Sequence, residues 1–175
     1  MDTDVQILRP IENVLDAPFV SGIENHGYGT DDLDGVTEDG FVRSTGQLYT
    51  RFCLQAGFMY AEPGHPFVDY CLEHFYGGGD RQFVNDDGSD NAFVIDLALM
   101  VALRKGWGMA YRDRTQLLPG GIKIYDSSVF ATRKSRTDGS YLIHWFDQSW
   151  RTNGGLSLKL KKLVKKHLYF LYRKL

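Results

Sequence analysis

Short apolar runs alternate with segments of helical period along this chain, and that alternation limits it to layered α/β architectures. Residues 5–8 read as a short strand stopped by Pro10, and 11–15 as a helical turn or two before Pro18. Residues 19–23 predict a second strand, ending at Glu24, Asn25 and His26. The Gly- and Asp-rich stretch 27–40 predicts a long polar loop, of a length that compact domains reserve for function or leave disordered. The apolar, small-residue stretch 54–61 predicts one buried strand. Phe67, Tyr70, Cys71 and His74 carry helical spacing through 66–75, which Gly77, Gly78 and Gly79 break. The clearest helix covers 91–105, where Phe93, Leu97, Met100, Val101 and Arg104 fall at helical steps. Asp90 is placed to cap it and Gly106 to end it. Residues 122–125 and 141–145 predict two further strands, and no internal repeat is visible.

With 175 residues, 43% of them hydrophobic, the chain is long and apolar enough for one domain with a core. No apolar stretch in it is long enough to span a bilayer. Cys53 and Cys71 lack any paired spacing. They read as buried thiols of a cytoplasmic protein rather than as a disulfide framework or a zinc site.

The net charge of -2 conceals a segregation of sign. All 22 acidic residues lie in 1–147, against twelve basic ones, so the body is formally -10. Residues 148–175 are formally +8. An acidic body is a poor nucleic-acid binder and suits a cation site. After Gly154 and Gly155, residues 156–175 predict a basic amphipathic helix, with Leu160, Leu163, Val164, Leu168 and Leu171 on its apolar stripe. Such a helix either packs on the body with its lysines solvated or docks on an anionic membrane surface. The absence of acidic residues favours the membrane.

Two clusters carry chemistry. Asp2 and Asp4 stand two apart at the head of the first strand. Alternate residues of an extended segment share a side, so both carboxylates can aim at one hard cation. Alone, such a pair is more often two solvated turn carboxylates. The second cluster, residues 143–150, gathers His144, Asp147, Ser149, Trp145 and Trp150 where a strand opens into a loop. A lone histidine or indole beside apolar residues is usually a core group. Other motifs fail in detail. Residues 30–35 resemble a calcium loop, but the twelfth position is Phe41 where a bidentate Glu is needed. Residues 77–80 lack the Lys of a phosphate loop.

Taken together and in order, these segments resemble a known family. Asp2-Thr3-Asp4-Val5 followed by Leu8-Arg9-Pro10-Ile11 is similar to the DXD segment of the capsular-polysaccharide glycosyltransferases. These are related to the yeast initiating α-1,6-mannosyltransferase and, more distantly, to the glucosyltransferase domains of clostridial toxins. Residues 19–24, residues 61–67 with Gly64-His65-Pro66, and residues 141–150 ending in Ser149-Trp150 match further family segments, so the resemblance reaches from residue 1 to about 150. Two positions depart from it. Gln55 stands where the family has Asn, and Ser89-Asp90-Asn91 stands for its Thr-Gly-Pro.

The resemblance implies a GT-A-like mixed sheet flanked by helices over 1–153, with 154–175 as the basic helix. It implies transfer of a sugar from a nucleotide-sugar donor to a saccharide or lipid-linked acceptor in surface polysaccharide synthesis, with retention of configuration. Mn²⁺ or Mg²⁺ would be held by Asp2, Asp4, His144 and Asp147. Asp2, Asp4, Ser149 and Trp150 would contact the donor, and Asp90, Asn91 and Glu24 the reacting sugar. The implied location is cytoplasmic, at the inner face of the membrane through 156–175, with no nucleic-acid partner. The family's nucleotide-binding half precedes its DXD segment, and here only Met1 does. A truncated, mis-started or cropped chain is therefore the expectation. The competing reading is a non-catalytic fragment or a carbohydrate-binding module of the same fold.

Overall fold

The computed structural model describes residues 4–26, 51–76 and 92–145. The chain divides into two compact units, Met1–Trp145 and Phe146–Leu175, and every described residue belongs to the first. The expected loop 27–40, the Gly77–Gly79 break, the Asp90 cap and the helix 156–175 lie outside the described residues.

The described elements, in chain order, begin with β1 (Val5–Ile7), a 3-10 turn (Ile11–Val14), β2 (Phe19–Asn25), β3 (Phe52–Leu54) and β4 (Tyr60–Ala61). They continue with α1 (Pro66–Cys71), a π-helical turn (Leu72–Tyr76) and α2 (Ala92–Trp107). Four strands close the series: β5 (Gln116–Leu118), β6 (Ile122–Tyr125), β7 (Phe130–Thr132) and β8 (Leu142–His144). The architecture is mixed α/β, with two mixed sheets. One is ordered β1-β8-β7, with β1 antiparallel and β7 parallel to β8. The other is ordered β3-β2-β6-β5, with β4 also pairing β2; the β2–β6 pair is parallel and the rest are antiparallel. Among the described residues no helix is long and apolar enough to cross a membrane.

Strand β2 organises both cores, because successive residues of a strand face opposite sides. Phe19 and Ile23 pack with Phe67 of α1, with Leu99, Met100 and Leu103 of α2, and with Ile122 and Ile124 of β6. Val20 packs instead with Phe58, Tyr125, Phe130 and Leu142, between the two sheets. Gly22 faces this same side, since a Cβ there would lie 3.0 Å from the Phe130 ring. Fully burying each such aliphatic or aromatic side chain contributes about 1.5–3 kcal/mol. Two steps beyond Gly22 the alternation brings Glu24 to the side of the β1-β8-β7 sheet.

Three expectations are corrected. The stretch 54–61 is not one strand. β3 and β4 both pair with β2, and residues 55–59 arch away between them. The buried Ser21 hydroxyl lies 3.2 Å from the Gln55 carbonyl and 3.5 Å from that of Phe58, so β2 itself anchors the arch. Gly106 does not end α2, which runs on to Trp107. The reversal is at Gly108, whose φ of +70° suits glycine, and the Met109 N–H then donates to the Leu103 carbonyl. Strands β5 and β7 were absent from the sequence reading. Each has three residues; Leu117 in β5 is 77% exposed, and β7 is wholly buried.

The Gly64-His65-Pro66 segment has a structural role. The His65 Nδ1 accepts from the Phe67 N–H, capping α1, and Pro66 occupies the first helical turn. That leaves the His65 Nε2–H to donate to the Gly120 carbonyl 3.1 Å away, tying α1 to the β5–β6 hairpin.

Candidate functional site

The carboxyl ends of β2, β7 and β8 converge at one end of the described strands. The β1–β8 register sets Val5 opposite His144, and the Trp145 N–H donates to the Asp4 carbonyl at 3.0 Å. Because β1 is antiparallel to β8, the start of β1 lies at that same end. β7, parallel to β8, sets Thr132 beside His144 and so leads Arg133 and Lys134 to the same end. The Lys134 ammonium donates to the His26 carbonyl at 2.9 Å, which joins the end of β2 to the group.

There Asp4 meets His144, with Oδ1 and Nε2 3.2 Å apart and both side chains largely buried. Behind the imidazole lies Glu24, 2% exposed, with Oε2 3.9 Å from His144 Nδ1. The other carboxylate oxygen, Oε1, is 3.4 Å from His26 Nδ1. The far nitrogen of His26 is 3.2 Å from the Cys53 thiol, whose residue is the register partner of Glu24. One line of polar groups thus runs Asp4, His144, Glu24, His26, Cys53 across both sheets.

The arch between β3 and β4 holds the imidazole in place. A Cβ on Gly57 would lie 2.9 Å from His144 Nδ1 and 3.0 Å from Cε1, so the ring rests directly on the Gly57 backbone. Gln55 is fully buried and donates from Nε2 to the Phe130 carbonyl; it belongs to the inter-sheet core. Nearby, Asp113 accepts from the Ser127 N–H and hydroxyl, each at 2.7 Å, and from the Asn25 amide at 2.8 Å. That contact fastens the end of β2 to the turn after β6.

Of the residues nominated from sequence, Asp4, Glu24 and His144 are described, and they come together. Asp2, Asp90, Asn91, Asp147, Ser149 and Trp150 lie outside the described residues. The sequence reading missed His26, Gly57 and Lys134 as members of this group. His26 carried a signal, since it stands two residues past Glu24 along one extended segment. At Cys71, burial pushes the thiol up to about 12, which favours its protonated form.

Among the described residues, no three His, Cys, Asp or Glu side chains form a group that could enclose a metal ion. Asp4 and His144 are in ion-pair contact, and the same two atoms could supply one edge of a coordination shell. Their 3.2 Å spacing is close to the roughly 3.0 Å between neighbouring ligands of an octahedron with bonds of about 2.1 Å. Mg²⁺ in particular takes few protein ligands and completes its shell with water and phosphate oxygens. A carboxylate and an imidazole therefore fit such a cation. Glu24 lies behind the ring at 3.9 Å, beyond hydrogen-bond length from Nδ1, so it acts on the imidazole through charge alone. Neither a protein-family model, nor a curated protein, nor a solved structure matches this chain.

Proposed function

We propose that this chain acts in the metal-dependent transfer of a sugar from a nucleotide-sugar donor to a saccharide or lipid-linked acceptor, as a GT-A-like domain in surface polysaccharide synthesis. The observation that carries the reading is the meeting of Asp4 and His144 at 3.2 Å. They belong to two clusters at opposite ends of the described chain, which the family resemblance assigns to one metal. Their position at the carboxyl ends of parallel strands is where open α/β sheets bind ligands.

In this reading Asp4 and His144 hold Mn²⁺ or Mg²⁺, which when bound neutralises the charge that develops on the departing diphosphate. Glu24 backs His144 with its carboxylate 3.9 Å from Nδ1, and its burial keeps that charge on the protein side of the pair. The largely buried Asp4–His144 pair would screen one side of such a cation from water. Basic residues Arg133 and Lys134, which follow β7 to this end, suit a phosphorylated ligand. The tail 156–175 contributes contact with an anionic membrane surface.

The test is the melting temperature of the purified 175-residue chain with Mn²⁺ and a uridine or guanosine diphosphate. The expected result is a rise that Asp4→Ala abolishes. No rise with either nucleotide overturns the proposal.

A further inference from the structure

We infer that Trp145 is a positioning residue that sets Asp4 against His144, and that Gln6 and Arg133 hold Trp145 in place. The inference rests on the metal-site reading above. Strand β1 has three residues and lies at the edge of its sheet, so a carboxylate just before its start depends on local ties for its position. Trp145 provides two. Its backbone N–H donates to the Asp4 carbonyl at 3.0 Å, extending the β1–β8 ladder by one step past the Val5–His144 pair. Its indole Nε1–H donates to Gln6 Oε1 at 3.2 Å, gripping β1 again two residues further on.

The indole is itself braced. The Arg133 guanidinium lies 4.9 Å from the ring centroid, at stacking distance for a cation on an aromatic face. Arg133 directly follows Thr132, the β7 partner of His144. One side chain therefore spans the ends of all three strands of the sheet that carries the pair. His144 is seated from the other direction by Gly57, so the two ligands are positioned by different parts of the chain. Without the indole clamp, the Oδ1–Nε2 spacing would depend on the end of a short edge strand.

The experiment compares wild type with Trp145→Phe, Gln6→Leu, the double variant and Arg133→Ala. Trp145→Phe keeps an aromatic ring and the backbone donor while removing the indole N–H together with part of the ring, and Gln6→Leu removes the acceptor of that same bond with the indole intact. Mn²⁺ affinity is read by the free-ion electron resonance signal, the His144 Nε2 resonance by ¹⁵N spectra at fixed pH, and global stability by Tm. Trp145→Phe and Gln6→Leu are each expected to weaken Mn²⁺ binding about tenfold, as loss of outer supports does at metal sites. The double variant should be no weaker than either single one, because both cut the same bond. Tm should fall by no more than about 4 °C, which separates a displaced ligand from a general loss of fold. Arg133→Ala should move the His144 resonance in the same direction by a smaller amount.

Unchanged affinity and an unshifted His144 Nε2 resonance in Trp145→Phe and Gln6→Leu would overturn the inference. Should wild type bind no Mn²⁺, the proposed function fails, and the His144 resonance still decides the role of Trp145. If Trp145→Phe does not fold, Gln6→Leu cuts the same bond from the other side.

Discussion

Gly57 and His144 show how much of the site rests on one missing methyl group. The imidazole occupies the space a side chain at 57 would need. In Gly57→Ala either the ring or the arch must move. The new Cβ meets an imidazole fixed near Asp4 and Glu24, which cannot swing away without loosening both contacts. We expect a stability loss of about 1–3 kcal/mol in urea titration, together with a displaced His144 resonance. A variant that matches wild type in both would show that the ring is not held from below. Nothing in the sequence around residue 57 announces this, because a glycine in an apolar stretch reads equally well as a weak strand position. Asp4 and His144 were both nominated, but their contact depends on the β1–β8 register, which local spacing does not encode.

At the scale of elements, β2, α2 and β6 were legible because each carries its period over several residues. The β3–β4 arch was not, since the apolar character of 54–61 is shared by a strand and by a buried bend. β5 and β7 are too short for a period to register. A polar group joins other elements. Asp16, just before β2, bonds Lys123 of β6 at 2.5 Å and accepts from the Tyr125 hydroxyl at 2.9 Å. The Lys123 bond is the main cause holding the Asp16 carboxyl below its ordinary value near 3.8; partial burial opposes it and the Tyr125 hydroxyl assists. For Lys123 partial burial acts downward, but Asp16 and Tyr125 outweigh it and hold the ammonium above 10.5. The signs then fix a window. The Asp16 contribution is complete above 3.8 and is lost as pH falls through the lowered folded value. The Lys123 contribution is complete below 10.5 and is lost as pH rises through the raised one. Since Asp16 is 46% exposed, the pair is worth at most about 1 kcal/mol. Asp16→Asn should lower stability by that order, evenly between those limits and less beyond them. A pH-independent difference would show that the pair adds nothing through charge.

For the whole molecule, the segregation of charge carries the prediction. An acidic body and a tail of +8 give one chain two segments of opposite charge. Binding to vesicles of anionic lipid should be measurable by sedimentation at low salt and should weaken as ionic strength rises. Replacing Lys161, Lys162, Lys165 and Lys166 with Gln should reduce it by at least tenfold, given about 1 kcal/mol per basic residue at such a surface. Equal binding by that variant and wild type would remove the membrane from the proposal.

The pairing of residues 5–7 with 142–144 also sets an order of assembly. Bringing these segments together closes the longest loop in the described chain, and its entropic cost falls on a strand with only three residues to repay it. The helix-side core, built on β2, α2 and β6, does not depend on that closure. On the proposed reading, whatever free energy a cation gained by bridging Asp4 and His144 would also fasten β1, and the two would be linked reciprocally. Amide exchange at Val5, Gln6 and Ile7 should be faster than at Val20 through Ile23, and a bound cation should slow it selectively. The ligand would then serve as the closing stitch of the fold as well as a participant in its chemistry.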